Sequence, residues 1–292
     1  MKKDVALHDG SKLEVHLTGK SGGKTIMLPG AKKTVVGQDA EVIKIWGVDP
    51  ELGKRFVEGL SDSFQVLSFD YEGHLFEHPQ PDRLTPDYIA KDLLRIADEM
   101  NVGSFSYYGY SWLALIGLQL AIRTNRLESL IMGGFPPYEG PYKEMLTVTA
   151  KTYEQALSSQ SGSVDNPPHA PASPEEIDWD AVQVTMDPNQ TKQFCTLYQS
   201  LAAFDDKQIQ SKLNLPKLAF AGERDTIVYG ENFGGVTVDI AGILRKHEKE
   251  LHRLGWDVKV IAGERMDHTK AMQPAAVLPI IKPWLFRKLL NT

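Results

Sequence analysis

The chain begins with alternation. VALH at 5–8, an Asp9-Gly10 turn, and then Leu13, Val15 and Leu17 spaced by polar residues predict a half-buried antiparallel hairpin. The period then changes. KTIMLPG (24–30) is a short apolar run closed by Pro-Gly, Asp49-Pro50 opens a helix with Leu52, Phe56 and Leu60 on one face, and FQVLSFD (64–70) predicts a strand. Thr85-Pro86 starts a second amphipathic helix, striped by Ile89, Leu93, Ile96, Ala97 and Met100, and FSYYG (105–109) predicts the strand after it. WLALIGLQLAI follows Ser111 and is apolar nearly all round, which predicts a buried helix; LESLIMGG (127–134) predicts a further strand.

Strands alternating with helices imply a mostly parallel sheet covered on both faces. Between about Phe135 and Asp206 the alternation stops. Helical stretches are predicted over 142–157 and 190–203, joined by the proline-rich NPPHAPASPEE (166–176) as a loop, so 136–206 reads as a helical insertion over the sheet. The alternation resumes with LPKLAFAG (215–222), a long helix within 231–254, WDVKVIAG (256–263) as a strand, and a closing helix from about Thr269. No repeat and no linker divides the chain, so 1–135 and 207–292 are expected to form one core.

Composition narrows the function. With 292 residues, 42% hydrophobic and 24% charged, the chain can bury a substantial α/β core. A net charge of −6 and a pI near 5.8 argue against a surface built for nucleic acid or anionic lipid. Cys195 is the lone cysteine, so there is neither an internal disulfide nor a thiolate pair for zinc. No stretch approaches the length of a membrane span, and the two N-terminal lysines are not followed by an apolar run. The expectation is a cytoplasmic monomer or homodimer acting on a small molecule, with no nucleic-acid partner and no membrane insertion.

In an open α/β sheet, ligands bind beyond the carboxyl ends of the strands. There the sequence places Pro29-Gly30-Ala31, Gly109-Tyr110-Ser111, GERD (222–225) and GERMDH (263–268). A serine at a helix start is ordinarily an N-cap, and an aspartate after a strand is ordinarily a turn residue. Together these residues offer more. Ser111 can attack a carbonyl, His268 can take and return the proton, Asp225 can orient the imidazole, and the N–H groups of Ala31 and Trp112 can face an oxyanion. Asp267 is the rival acid, but adjacent side chains on an extended loop diverge. His74 and His78 with Asp70 and Glu72 lack the spacing of a metal site, and Gly133-Gly134 and Gly234-Gly235 lack a phosphate-loop context.

With these segments in the order Ser, Asp, His, the chain resembles the α/β-hydrolase superfamily over nearly its whole length. LPG (28–30) is similar to the family's oxyanion-loop motif, usually His-Gly. FDYEGH (69–74) is similar to its Asp-x-x-Gly-His turn, and GYSW (109–112), GERD and Asp267-His268 match the nucleophile, acid and histidine segments. Two positions depart from the pattern. Pro29 stands where many relatives carry histidine, and Leu113 stands where the nucleophile turn ends on a small residue, which demands extra room.

The resemblance implies an α/β hydrolase with an N-terminal hairpin and a helical cap (136–206), cleaving a small or medium carboxylic ester through an acyl-enzyme on Ser111, with no cofactor or metal. Gly30, Tyr110 and Phe135 are expected to line the substrate pocket. A serine nucleophile argues against dehalogenase or epoxide-hydrolase chemistry. Lactone, thioester, amide and carbon–carbon bond hydrolysis use the same constellation, and a non-catalytic ligand-binding or signalling protein would keep the same fold.

Overall fold

The computed structural model describes residues 1–161 and 184–290. The N-terminal hairpin pairs β1 (Lys2–Ala6) with β2 (Lys12–Gly19) and turns at Gly10, whose φ of 87° suits glycine. Then follow β3 (Thr25–Leu28), α1 (Gln38–Ile45), α2 (Leu52–Ser61), β4 (Gln65–Ser68), α3 (Tyr71–Glu77), α4 (Pro86–Glu99), β5 (Phe105–Tyr110), α5 (Trp112–Ala121) and β6 (Leu127–Gly133). The second half contains α6 (Tyr142–Ser161), α7 (Pro188–Ser200), β7 (Lys217–Gly222), β8 (Thr226–Val228), β9 (Thr237–Asp239), α8 (Ile240–Arg253), β10 (Trp256–Ile261), α9 (His268–Ala271) and α10 (Pro274–Leu285).

Eight strands form one sheet in the order β1-β2-β4-β3-β5-β6-β7-β10. Only the β1-β2 and β2-β4 pairs are antiparallel; the other neighbours run parallel, so their carboxyl ends share one edge. β5 shows why both faces are covered. Phe105 and Tyr107 join the core with Ile89 and Leu93 of α4 and Leu115 and Leu118 of α5, whereas Tyr108 and Tyr110 point into the opposite core with Phe56 and Leu60 of α2 and Ile281 and Trp284 of α10. A two-residue side-chain period divides the aromatic run between the faces. Sequence punctuation sets the helix starts: the Thr85 hydroxyl accepts from the Tyr88 N–H at 3.4 Å, and Pro86 follows where its missing N–H costs nothing.

Some elements differ from the expected ones. FDYEGH does not remain a turn, because Asp70 accepts the Gly73 N–H at 2.8 Å and starts α3. The long helix expected within 231–254 begins only at Ile240. Residues 226–239 first form the small β8-β9 hairpin, which turns through Gly234 (φ 98°) and Gly235 (φ 60°), and the Asp239 carboxylate then caps α8. The closing helix is split at Pro274 into α9 and α10, and α1 answers to no amphipathic stripe.

The segment 136–206 contributes α6 and α7; the proline-rich stretch 166–176 falls outside the described residues. The two ends of the segment are clasped together, since the Asp206 carboxylate accepts the N–H groups of Glu139 and Gly140, each at 2.9 Å. Towards the sheet edge α7 packs on the first half of the chain. Gln193 donates to the Leu75 carbonyl at 3.1 Å, Gln190 to that of Phe76 at 2.7 Å, and the Phe194 ring meets Trp112 edge-on at 5.3 Å.

Candidate active site

β5 ends in a sharp turn at Ser111, which has φ 56° and ψ −130°, a conformation costing a non-glycine residue on the order of 1–3 kcal/mol. Its hydroxyl makes no cap bond to α5, so the ordinary reason for a serine at a helix start does not apply. Backbone groups hold the turn: the Ser111 N–H donates to the Gly133 carbonyl at 2.8 Å, and the Ala114 N–H donates to the Ser111 carbonyl at 2.9 Å. Gly109 is required by the close approach of the helix, because a Cβ there would stand 2.3 Å from the Leu113 carbonyl oxygen.

Leu113 finds its room elsewhere. Its Cδ1 lies 3.4 Å from where a Cβ on Gly30 would be, and its side chain is buried in the core beneath the elbow. The leucine thus meets the facing loop at ordinary van der Waals distance and also forms part of the lining of the cavity that holds Ser111.

The acid and the base come from loops laced to each other. The Arg224 N–H donates to the Met266 carbonyl at 3.0 Å, and the Glu223 carboxylate accepts the Gly263 N–H at 3.1 Å. A Cβ at Gly222 would stand 2.2 Å from the Met266 oxygen, so the crossing needs glycine there. Across it, His268 Nδ1 and Asp225 Oδ1 are 2.9 Å apart, with the Asp225 side chain fully buried and the imidazole about one-fifth exposed. The rival acid is occupied: Asp267 is exposed and accepts the Lys270 N–H at 2.9 Å, capping α9.

Tyr110 supports the histidine from behind. Its hydroxyl donates to the His268 carbonyl at 2.8 Å, and its ring lies 5.0 Å from the imidazole. Burial, and after it the nearby Asp225 carboxylate, pushes the phenol well above its ordinary pKa, which keeps it a donor. Gly134, at φ 64°, completes the support: a Cβ there would crowd His268 Cε1 at 2.8 Å. The glycine pair at 133–134 thus serves close packing around the base.

Ser111 and His268 line one cavity of about 200 Å³ with Gly30, Tyr110 and Trp112. Its apolar wall is made by Leu28, Leu52, Phe56 and Met272. Two expected residues stand differently. Phe135 is buried against Tyr142 at the start of α6, 5.7 Å between ring centroids, and does not line this cavity. The Ala31 N–H, expected to face an oxyanion, donates to the Phe69 carbonyl at 3.2 Å, as the loop after β3 bridges to Asp70. That donor is committed in this conformation. The Trp112 N–H sits in the first turn of α5, where the helix itself provides no acceptor.

The histidines and carboxylates of the 70–78 stretch have separate tasks. His74 Nε2 contacts the Ser11 hydroxyl at 2.8 Å, and burial lowers its pKa, favouring the neutral ring. Asp70 caps α3, and Glu72 accepts the Trp112 indole N–H at 2.8 Å. Among the described residues no group of three or more His, Cys, Asp or Glu side chains could hold a metal ion. Cys195 is buried on α7, and burial raises its thiol pKa. Among the described residues no helix is long and apolar enough to cross a membrane.

No family model matches the sequence, and no curated protein matches it. Solved structures do. A hydrolase from Pseudomonas aeruginosa aligns over 99% of this chain and 98% of its own at 18% identity, with a TM-score of 0.58. A structure from a study of carboxylesterases of Nitrososphaera gargenis aligns over 99% of this chain and 100% of its own at 16% identity, with a TM-score of 0.61. The fold is that of the α/β hydrolases. That fold also serves other chemistry: the bottromycin epimerase BotH aligns over 97% of this chain and 98% of its own at 14% identity, with a TM-score of 0.54.

Proposed function

We propose that the protein is a serine hydrolase acting on small carboxylic esters through an acyl-enzyme. The observation that carries this reading is a strained Ser111, uncommitted to helix capping, sharing a small cavity with a histidine held 2.9 Å from a buried aspartate. A hydroxyl is a weak nucleophile until a base takes its proton, and an imidazole serves as that base when its other nitrogen is fixed as a donor.

In the proposed reaction Ser111 Oγ attacks the ester carbonyl while His268 Nε2 takes the hydroxyl proton. Asp225 keeps Nδ1 protonated and stabilises the imidazolium. The carbonyl electron pair moves to oxygen, where the Trp112 N–H at the positive end of α5 receives it. Ala31 would join as a second donor only by exchanging its bond to Phe69. Collapse of the intermediate expels the alcohol, which takes the proton from His268. A water then repeats the sequence on the acyl-enzyme, with His268 again as base, and releases the acid and Ser111. The segment 136–206 acts as a cap: Phe194 of α7 meets the elbow tryptophan and helps to keep water from the reacting atoms.

The size of the cavity supports short acyl groups. Acetyl and butyryl p-nitrophenyl esters should be turned over, with kcat/KM falling about tenfold or more for the decanoyl ester, since each methylene outside a fitted pocket forfeits its share of binding. Absence of turnover across ester, lactone and thioester panels would overturn the hydrolase reading.

A further inference from the structure

Lys32, Glu72 and Trp112 all border the cavity that holds Ser111. They form one chain of contacts. The Trp112 indole N–H donates to Glu72 Oε1 at 2.8 Å, and Lys32 Nζ lies 2.5 Å from Glu72 Oε2. Glu72 is four-fifths buried and Lys32 half-exposed, and both line the cavity. The three residues come from α5, α3 and the loop after β3, and the contacts therefore tie the elbow to α3 and to that loop.

The arrangement raises an electrostatic problem. A hydrolase elbow must stabilise negative charge on the substrate oxygen, yet the Glu72 carboxylate lies against the side chain of the residue whose backbone N–H is the proposed donor. In a small, mostly apolar cavity that charge is poorly screened. Lys32 cancels it. Burial works against the ammonium, but Glu72 and then Asp70 more than offset burial and hold its pKa above the ordinary lysine value, so it stays charged. Asp70 is itself satisfied by the N–H groups of Gly73 at 2.8 Å and Lys33 at 3.2 Å.

We propose that Lys32 and Glu72 are positioning residues: Glu72 clamps the elbow tryptophan, and Lys32 neutralises Glu72 so that the clamp does not oppose the oxyanion. The inference rests on the hydrolase reading. It makes a prediction of sign that a merely structural salt bridge does not. Removing the lysine leaves a carboxylate next to the developing charge, and removing that carboxylate as well must restore the rate.

The test is a double-mutant cycle on p-nitrophenyl butyrate, with folding monitored by thermal melting. Lys32→Met should lower kcat about tenfold or more with KM little changed, because the penalty falls on the transition state. Lys32→Arg, which keeps the charge, should lose less. Glu72→Gln keeps an amide oxygen for the indole, and the Lys32→Met/Glu72→Gln pair should regain a kcat within about threefold of Glu72→Gln alone. A Lys32→Met enzyme as fast as the parent, or a double variant no faster than Lys32→Met, would overturn the proposal. Failure of the underlying reading looks different: the parent protein itself would then neither turn over the ester nor react with a fluorophosphonate.

Discussion

Ser111→Ala is expected to abolish turnover, lowering kcat by about 10⁶ if the serine is the nucleophile, as removal of a triad nucleophile does elsewhere. Thermal stability should hold, because the hydroxyl makes no cap bond to α5 that the substitution could remove. The pairing of outcomes carries the meaning. An N-cap serine would lose about 1 kcal/mol of stability and leave catalysis largely intact. Steady-state rates and melting curves on one preparation separate the two, and a variant retaining a tenth of the activity would place the chemistry elsewhere.

Asp225→Asn is expected to lower kcat by about 10⁴, because an amide beside Nδ1 favours the wrong tautomer and no longer stabilises the imidazolium. Asp267→Asn is the matched control. It removes the same charge one residue from His268, yet its geometry is that of a helix cap on Lys270, a role asparagine fills equally well. Its kcat should stay within about threefold of the parent and its stability should be unchanged. A large loss at 267 with a small one at 225 would reverse the assignment.

The sheet and its flanking helices were legible because their signals are local. β5 and α5 sit next to each other in sequence, and an aromatic strand running into an all-apolar helix has few other ways to bury itself. The same locality explains the failures. The helix expected within 231–254 is there only in its later part, because the first third turns on glycines that let β8 and β9 pair before α8 begins. FDYEGH becomes α3 because one carboxylate, Asp70, reaches back to cap it.

The site was legible as a set of strand ends, and the structure brings His268 Nδ1 within 2.9 Å of Asp225 Oδ1. What could not be read were contacts between residues distant in sequence. Leu113 looks like a departure in the sequence, yet its side chain is buried and meets the Gly30 loop at ordinary contact distance. Phe135 follows a strand of the sheet, yet the chain carries it against Tyr142 and away from the cavity. Ala31 matches a motif position, but its N–H is turned to Phe69. Glu72 sits in an acidic and histidine-rich stretch of the sequence, but its partners, Trp112 and Lys32, lie on other elements. Each of these depends on tertiary approach, which no local pattern encodes.

The central claim is that Ser111 is an activated, accessible nucleophile. Incubation of the intact protein with a fluorophosphonate, followed by peptide mass mapping, tests it directly. The prediction is one adduct per chain, on Ser111, lost in Ser111→Ala and slowed in Asp225→Asn. An unlabelled protein, or an adduct on any other residue, would contradict it.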